Sequence, residues 1–200
     1  MPKQLVIDTN LAYDAGRDPS CTKFLNAVLD NEYHVVMEAF IFGEWEKCKS
    51  RFASYWRAKM LDKGRFHVIN IKPNIRLRED IERFAPDGHC RDEMIKDVPL
   101  LETALEKDEI VISLDEEARG YYAFVSISIN EIRVIIWVNP IKEEENPVRW
   151  LENGADAEPG RQLGHLFDHK KSERESNRQA PLEDLWTAPL IVDSKLSNGI

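Results

Sequence analysis

Residues 5–16 read LVIDTNLAYDAG and place an acid, Asp8, directly after an apolar run and before two small polar residues, Thr9 and Asn10. The apolar run predicts a buried strand that ends at this acid. Short polar side chains often end strands because they hydrogen-bond the turning backbone, so Asp8 alone indicates no more than a turn. A catalytic or ligand-binding role for Asp8 can therefore be inferred only from the residues that lie beside it in the fold.

Strands and helices alternate along the chain that follows this first stretch. Apolar runs predict strands at QLVID, HVVM, FHVINI, IVISL and VIIWV, with helices over about 20–31, 40–62, 74–84, 98–106 and 116–123. Ser20 is the expected cap of the first of these helices. Continuous β-branched strands separated by helices indicate an α/β fold, with a mainly parallel sheet covered by helices on both faces.

The composition sets limits on the class of protein. Two hundred residues, of which 42 % are hydrophobic, suit one domain with an appendage. The opening residues MPKQ lack the apolar segment of a signal peptide, and no run approaches the roughly 18 apolar residues of a membrane span. Cys21, Cys48 and Cys90 are widely spaced and odd in number, which argues against disulfides. We therefore expect a soluble, cytoplasmic protein with no membrane partner.

The sequence divides into four parts by composition. Residues 1–140 carry all of the predicted strands and form the main domain. Within 141–154, Pro147 and Gly154 bracket a short predicted helix that packs on this domain. Residues 155–181 are nearly all polar or charged and predict a flexible linker. Residues 182–200 regain apolar side chains, which predicts a tail that docks on a partner.

Four acids fall at the carboxyl edge of the predicted sheet, where parallel α/β folds bind ligands. Asp8 and Asp115 end strands, Glu44 lies in the first turns of the helix after HVVM, and Asp97 immediately precedes the helix before IVISL. Each also has an ordinary explanation, since Asp97 and Asp115 suit helix caps and Glu44 suits the helix dipole. Four acids on one edge would repel one another unless a cation neutralised them, and oxygen ligands suit Mg²⁺ or Mn²⁺.

A basic segment stands out in a chain whose formal net charge is −9. The net charge argues against a general nucleic-acid-binding surface, because phosphates repel an acidic protein. Residues 45–65, however, contain seven basic side chains and only two acidic ones. This pattern is typical either of a solvated helix face or of a local path for RNA. The residues predicted to contact RNA on one long helix are Lys47, Lys49, Arg51, Arg57 and Lys59.

The acidic motifs resemble those of the PIN-domain nuclease family. VIDTNLAYDAG is similar to the family's first motif, VVMEAFIFGEWEKC to its second, and KDVPLLETALEKDEIVISLDEEA to its third and fourth. The likeness preserves order and spacing over about residues 4–138. It implies a three-layer α/β/α PIN-like fold and a Mg²⁺- or Mn²⁺-dependent nuclease that acts mostly on RNA.

The resemblance also implies roles for individual residues. Family members often have Thr-Asn-Asp where this chain has Ser113, Leu114 and Asp115, so a polar contact is missing at position 114. Glu44 would bind the metal or orient the attacking water, and Glu116 or Glu117 would supply a fifth acid. The implied catalytic residues are Asp8, Glu44, Asp97 and Asp115, of which Asp8, Asp97 and Asp115 bind metal, supported by Thr9, Asn10, Ser113, Glu116 and Glu117.

Two functions follow as expectations. The first is an endoribonuclease that hydrolyses phosphodiester bonds in RNA, as the toxin of a toxin–antitoxin pair. Its antitoxin, or another protein, would contact the C-terminal tail, and a homodimer is compatible with this scheme. The alternative is a PIN-like module that binds RNA or a protein without cleaving it. The feature that favours this alternative is Leu114, which stands where family members often have Asn. The sequence leaves open the RNA target and the number of metal ions.

Overall fold

A computed structural model of the protein describes residues 3–167. Five strands form one sheet in the order β3-β2-β1-β4-β5, and every neighbouring pair is parallel. The mainly parallel sheet predicted from the apolar runs is therefore confirmed. The strands are β1 (Gln4–Ile7), β2 (His34–Glu38), β3 (Phe66–Ile69), β4 (Ile110–Ile112) and β5 (Ile136–Val138).

Helices flank the sheet and complete the predicted three-layer α/β/α arrangement. They are α1 (Thr9–Asp14), α2 (Pro19–Asp30), α3 (Ala39–Lys47), α4 (Arg51–Asp62), α5 (Ile75–Phe84), α6 (Gly88–Leu105), α7 (Glu116–Val125) and α8 (Pro147–Glu152), with 3₁₀ turns at Asn130–Ile132, Glu143–Glu145 and Pro159–Arg161. Helix α6 packs on β1, β2 and β4, with α5 and α7 beside it, while α2 contacts α4 and α8. Within the described part of the chain, none of the helices combines the length and apolar character of a membrane span.

The buried strands explain why the sheet lies between two helical layers. Every residue of β4 and β5, and the three central residues of β2, are buried, so side chains on both faces need apolar neighbours. The edge strand β3 differs, because Phe66 alone among its residues is buried. The largest fully buried side chains include Phe24, Trp56, Tyr122 and Trp137.

The strand order creates a switch point between β1 and β4. The chain runs outward from β1 to β3 on one side, then returns to the other side of β1 for β4 and β5. Asp8 N–H donates to the Ile112 carbonyl at 2.9 Å, and Ser113 N–H donates to the Val138 carbonyl at 3.1 Å. The segments after β1 and β4 therefore start side by side, at the place where open α/β sheets bind ligands.

The single helix predicted over 40–62 is wrong, because the chain forms two helices there. Helix α3 ends at Lys47, and Cys48 has an extended backbone with φ −67° and ψ 126°. Ser50 then caps α4, since its hydroxyl accepts a hydrogen bond from Ala53 N–H at 3.2 Å. A serine inside a helix competes for backbone groups, so a break at this position is physically favourable.

Two other helices begin earlier than their sequence patterns indicate. Asp18, not Ser20, caps α2. Helix α6 was expected to start after Asp97 but begins at Gly88, because the Asp87 carboxylate accepts from Cys90 N–H at 2.8 Å. Pro99 therefore lies inside α6, where it removes the hydrogen bond to the carbonyl four residues earlier.

The linker predicted from residue 155 is wrong for residues 155–167. Ala155 and Leu163 are fully buried. Gln162 pairs with Ile136 in an antiparallel bridge, and Leu163 N–H donates to the Ile135 carbonyl at 3.0 Å. This segment covers the outer edge of β5. Residues 168–181 of the predicted linker and the predicted docking tail, 182–200, lie outside the described residues.

Candidate active site

A cavity of about 500 Å³ lies at the switch point. The structure brings together there the four acids Asp8, Glu44, Asp97 and Asp115, which come from four different segments of the chain. The predicted supporting residues Thr9 and Asn10 line the same cavity.

Asp8 is held in place by two side chains. The Ser113 hydroxyl donates to Asp8 Oδ2 at 2.7 Å, and the Asn10 amide donates to the same oxygen at 2.6 Å. Burial raises the pKa of Asp8, and the Ser113 hydrogen bond and nearby backbone N–H groups lower it less. The indole of Trp45 ties α3 to this point by donating to the Ile7 carbonyl at 3.3 Å. Asp8 is thus an oriented and desolvated carboxylate.

Asp97 enters the cavity from the interior of α6, so its predicted place before a helix is wrong. The pKa of Asp97 is raised to about 6, mainly by burial and in addition by the charges of Asp8 and Asp115, whereas Lys96 opposes the shift. Like charges perturb one another only over short distances inside a protein. The three aspartates therefore form one electrostatic unit.

Asp115 has a structural role as well as a place in the cavity. Its carboxylate caps α7 by accepting from Ala118 N–H at 2.8 Å, as the sequence allowed. Its own N–H donates to the Ser113 hydroxyl at 3.1 Å, so one buried serine links both strand ends. The same hydroxyl also accepts from Asn10 at 2.9 Å.

Backbone groups of Leu114 make the polar contacts at position 114. Leu114 N–H donates to Asn10 Oδ1 at 3.2 Å, and its carbonyl accepts from the Asn139 amide at 3.3 Å. Asn139 is buried directly after β5 and was not predicted from the sequence, although a polar residue after VIIWV is a recognisable signal. The loop at 113–115 is therefore fixed without an asparagine at 114.

Glu44 differs from the three aspartates because a cation neutralises it. Lys47, one helical turn later, forms an ion pair with Glu44. The Glu44 side chain is 36 % exposed, so this pair lies at the solvent side of the site. A charge in this position is free to rearrange when a ligand enters.

Glu116 and Glu117 do not line the cavity. That one of them supplies a fifth acid stays a prediction. Glu116 is bonded to Lys142 and to Asn139. Burial raises the pKa of Glu116, but Lys142, Arg119 and Asn139 together outweigh it, and the pKa is lowered overall. Glu117 accepts a hydrogen bond from the Tyr121 hydroxyl.

The predicted RNA-binding residues separate into two groups. Lys47, Lys49 and Arg51 line a second cavity, of about 610 Å³, together with Tyr13 and others. The guanidinium of Arg57 instead lies over the Phe42 ring, 5.5 Å from its centroid, and Lys59 lies over Tyr55 at the same distance. The continuous basic row expected on one helix is therefore interrupted by the break between α3 and α4.

The donor types in the acidic cavity fit a hard divalent cation, because four carboxylates line it beside Lys96 and no Cys or His is among the lining residues. Their spacing is more open than that of a finished metal site. Among residues 3–167, no three His, Cys, Asp or Glu side chains are grouped so as to hold an ion. Binding would require the carboxylates to rotate toward one point.

Comparisons with family models, with curated proteins and with solved structures give no match to this chain. The resemblance to PIN-domain nucleases therefore rests on the order of the acidic motifs alone.

Proposed function

We propose that this protein is a divalent-metal-dependent endoribonuclease whose active site is the four-acid cavity. The observation that carries the proposal is the convergence of Asp8, Asp97 and Asp115, from three separate segments, on one cavity at the switch point. The charges of Asp8 and Asp115 add to the burial that raises the pKa of Asp97. None of these three aspartates has a salt-bridge partner within residues 3–167. Unpaired carboxylates kept close together at a ligand-binding edge favour a site for a cation.

The residues of the chain have separable roles in this proposal. Asp8, Asp97 and Asp115 would hold Mg²⁺ or Mn²⁺, while Ser113 and Asn10 keep the Asp8 carboxylate oriented. The cation would neutralise phosphate oxygens and lower the pKa of water at the scissile bond. Glu44 would orient that water after leaving Lys47. Tyr122 supports Asp97 indirectly, since its hydroxyl donates to the Met94 carbonyl in α6 at 2.6 Å.

The test is cleavage of an unstructured fluorescent RNA, and of single-stranded DNA of the same sequence, in Mg²⁺, Mn²⁺ or EDTA. We expect metal-dependent internal cuts in the RNA and none in EDTA. Asp62→Asn is the matched control for substitutions in the site, because Asp62 is exposed at the end of α4. Cleavage that persists in EDTA would contradict a metal-dependent mechanism.

A second candidate is a module that binds RNA or a protein without cleaving it. One observation favours it: the acids of the described residues are not already grouped for a metal ion. Binding of RNA with no cleavage in either metal would support this candidate over the nuclease.

The toxin hypothesis, a homodimer and a cytoplasmic location stay predictions. The surface predicted to contact an antitoxin is in residues 182–200, outside the described residues. Coexpression with the product of a neighbouring gene, followed by copurification, would test this partner directly.

A further inference from the structure

A second cleft lies next to the acidic cavity, between the turn that joins α1 to α2 and the turn that joins α3 to α4. It has a volume of about 610 Å³, and basic side chains dominate its charged lining. Three of them, Lys47, Lys49 and Arg51, were expected to contact RNA, whereas Arg17 was not singled out by its sequence.

The shape of the cleft depends on two small residues. Gly16 has φ +89°, and a Cβ atom added there would come within 3.0 Å of Phe52 Cβ. The Ser50 hydroxyl, which caps α4, also donates a hydrogen bond to the Ala15 carbonyl. These contacts join the two turns at the base of the cleft. The break between α3 and α4 is therefore what brings Lys49 and Arg51 to the same cleft as Arg17.

The cations of this cleft are available to a ligand. Arg17, Lys49 and Arg51 are exposed and make no ion pair or side-chain hydrogen bond with any of residues 3–167. Unpaired cations beside one another attract phosphates, even when the whole chain is acidic. By contrast, many other basic side chains, such as Arg78, Arg119 and Arg161, are paired with acids.

Two features connect this cleft to the acidic cavity. Tyr13 lines both of them. Glu44 lines the acidic cavity, and Lys47, its ion-pair partner, lines the basic cleft. Tyr13 is 44 % exposed, and Phe40, which also lines the acidic cavity, is 62 % exposed. Exposed aromatic faces along a charged groove are the surfaces on which unpaired bases stack.

We infer that the two cavities form one track for an unpaired RNA strand. Phosphates lie on Arg17, Lys49 and Arg51, one base stacks on Tyr13 at the junction, and another stacks on Phe40 beside the acids. A duplex cannot use this track, because its bases are already stacked and paired. The inference rests on the proposed function and adds to it a substrate class and a direction of approach.

The experiment measures RNA binding in EDTA by fluorescence anisotropy, so that it does not depend on cleavage. The full-length protein is titrated into an unstructured oligoribonucleotide and, separately, into the same strand held in a duplex. We expect Tyr13→Ala and Phe40→Ala each to weaken binding of the single strand by about 5- to 100-fold. Tyr13→Phe keeps the ring and should bind nearly as the original protein does, which separates stacking from misfolding.

The charged part of the track is tested by salt dependence. Removing one cation that binds a phosphate of a single strand should reduce the slope of log affinity against log salt by about 0.7. Arg17→Gln with Arg51→Gln should therefore flatten the slope by about 1.4. Lys107→Gln is the control, because Lys107 is exposed just before β4, at the opposite edge of the sheet.

Three results would overturn the inference: equal affinity for the duplex, unchanged binding in Tyr13→Ala, or an unchanged salt slope in the double variant. Such a failure with metal-dependent cleavage intact would leave the proposed nuclease standing. If no cleavage is found but binding still depends on Tyr13 and Phe40, the result would contradict the proposed nuclease activity. It would support the track as an RNA-binding site.

Discussion

Ser113 is the residue on which the geometry of the candidate site depends most. Its hydroxyl donates to Asp8 and accepts from the Asn10 amide and from Asp115 N–H, which uses its whole hydrogen-bonding capacity. The side chain is fully buried, so water cannot replace these partners. One small polar residue therefore fixes both acids that follow β1 and β4.

Replacing Ser113 by alanine should destabilise the fold as well as the site. The change removes three hydrogen bonds at once, which should cost about 1–3 kcal/mol of unfolding free energy. Urea unfolding would measure the loss, with Ser128→Ala as a control at an exposed serine. An unchanged unfolding free energy would show that the hydroxyl is not the link described here.

The pKa of Asp97 makes a prediction about pH. Its value of about 6 lies above the ordinary 3.8. As the pH rises, Asp97 therefore loses its proton at a lower pH in the unfolded chain than in the folded protein. Ionisation of Asp97 therefore costs stability progressively between about pH 4 and pH 6, and the loss is complete above the folded pKa. In EDTA, Asp97→Asn should gain stability relative to the original protein across this window.

The measurement is the unfolding free energy of both proteins at several pH values, in EDTA and again in Mg²⁺. The gap should widen from pH 4 to pH 6 in EDTA and narrow when Mg²⁺ is added. A gap that is constant with pH would contradict the raised pKa of Asp97.

At the scale of elements, the break between α3 and α4 decides which basic side chains reach RNA. Lys49 lies in the break and faces the basic cleft, whereas the Arg57 guanidinium packs over Phe42. We expect Lys49→Gln to flatten the salt dependence of RNA binding, and Arg57→Gln to leave it unchanged. A matched pair of anisotropy titrations in varied salt would measure the effect of each substitution. An equal effect of the two substitutions would support the continuous basic helix predicted from the sequence.

The strands and most helices could be predicted from the sequence because their signals are local. Apolar β-branched runs marked every strand, and Asp115 caps α7, as its sequence position suits. The start of α6 could not be predicted in the same way, because Pro99 looks like the first turn of a helix although it lies inside one. Asp97 was identified as a site residue despite this wrong boundary.

At the scale of the molecule, the sequence indicates a parallel sheet but does not determine its strand order. Placing β4 beside β1 depends on contacts between distant residues, such as the bond from Asp8 N–H to the Ile112 carbonyl. The site could be predicted at one edge because acids follow strands there. Arg17 could not be assigned to the basic cleft without knowing which segments become neighbours. Asn139 follows a predicted strand, but its contact with the loop at 113–115 could not be predicted for the same reason.

The segment after α8 belongs to the same compact unit as the sheet, which makes a testable prediction. Leu163 is fully buried although the residues around it are mostly polar. Leu163→Ala should therefore lower the unfolding free energy by about 2–5 kcal/mol, as buried leucines do. Leu61→Ala, at a position 49 % exposed, is the control. A loss of unfolding free energy no larger than that of the control would support the linker predicted from the sequence for residues 155–167.

The most direct test of the central claim is single-turnover cleavage of an unstructured RNA in Mg²⁺ by the original protein and by Asp8→Asn. Asparagine keeps the size of the side chain but removes the charge that a cation needs. We expect internal cleavage by the original protein, and a rate lower by about 100-fold or more in Asp8→Asn, while Asp62→Asn cleaves normally. Equal rates in Asp8→Asn and the original protein would contradict the assignment of the acidic cavity as the active site.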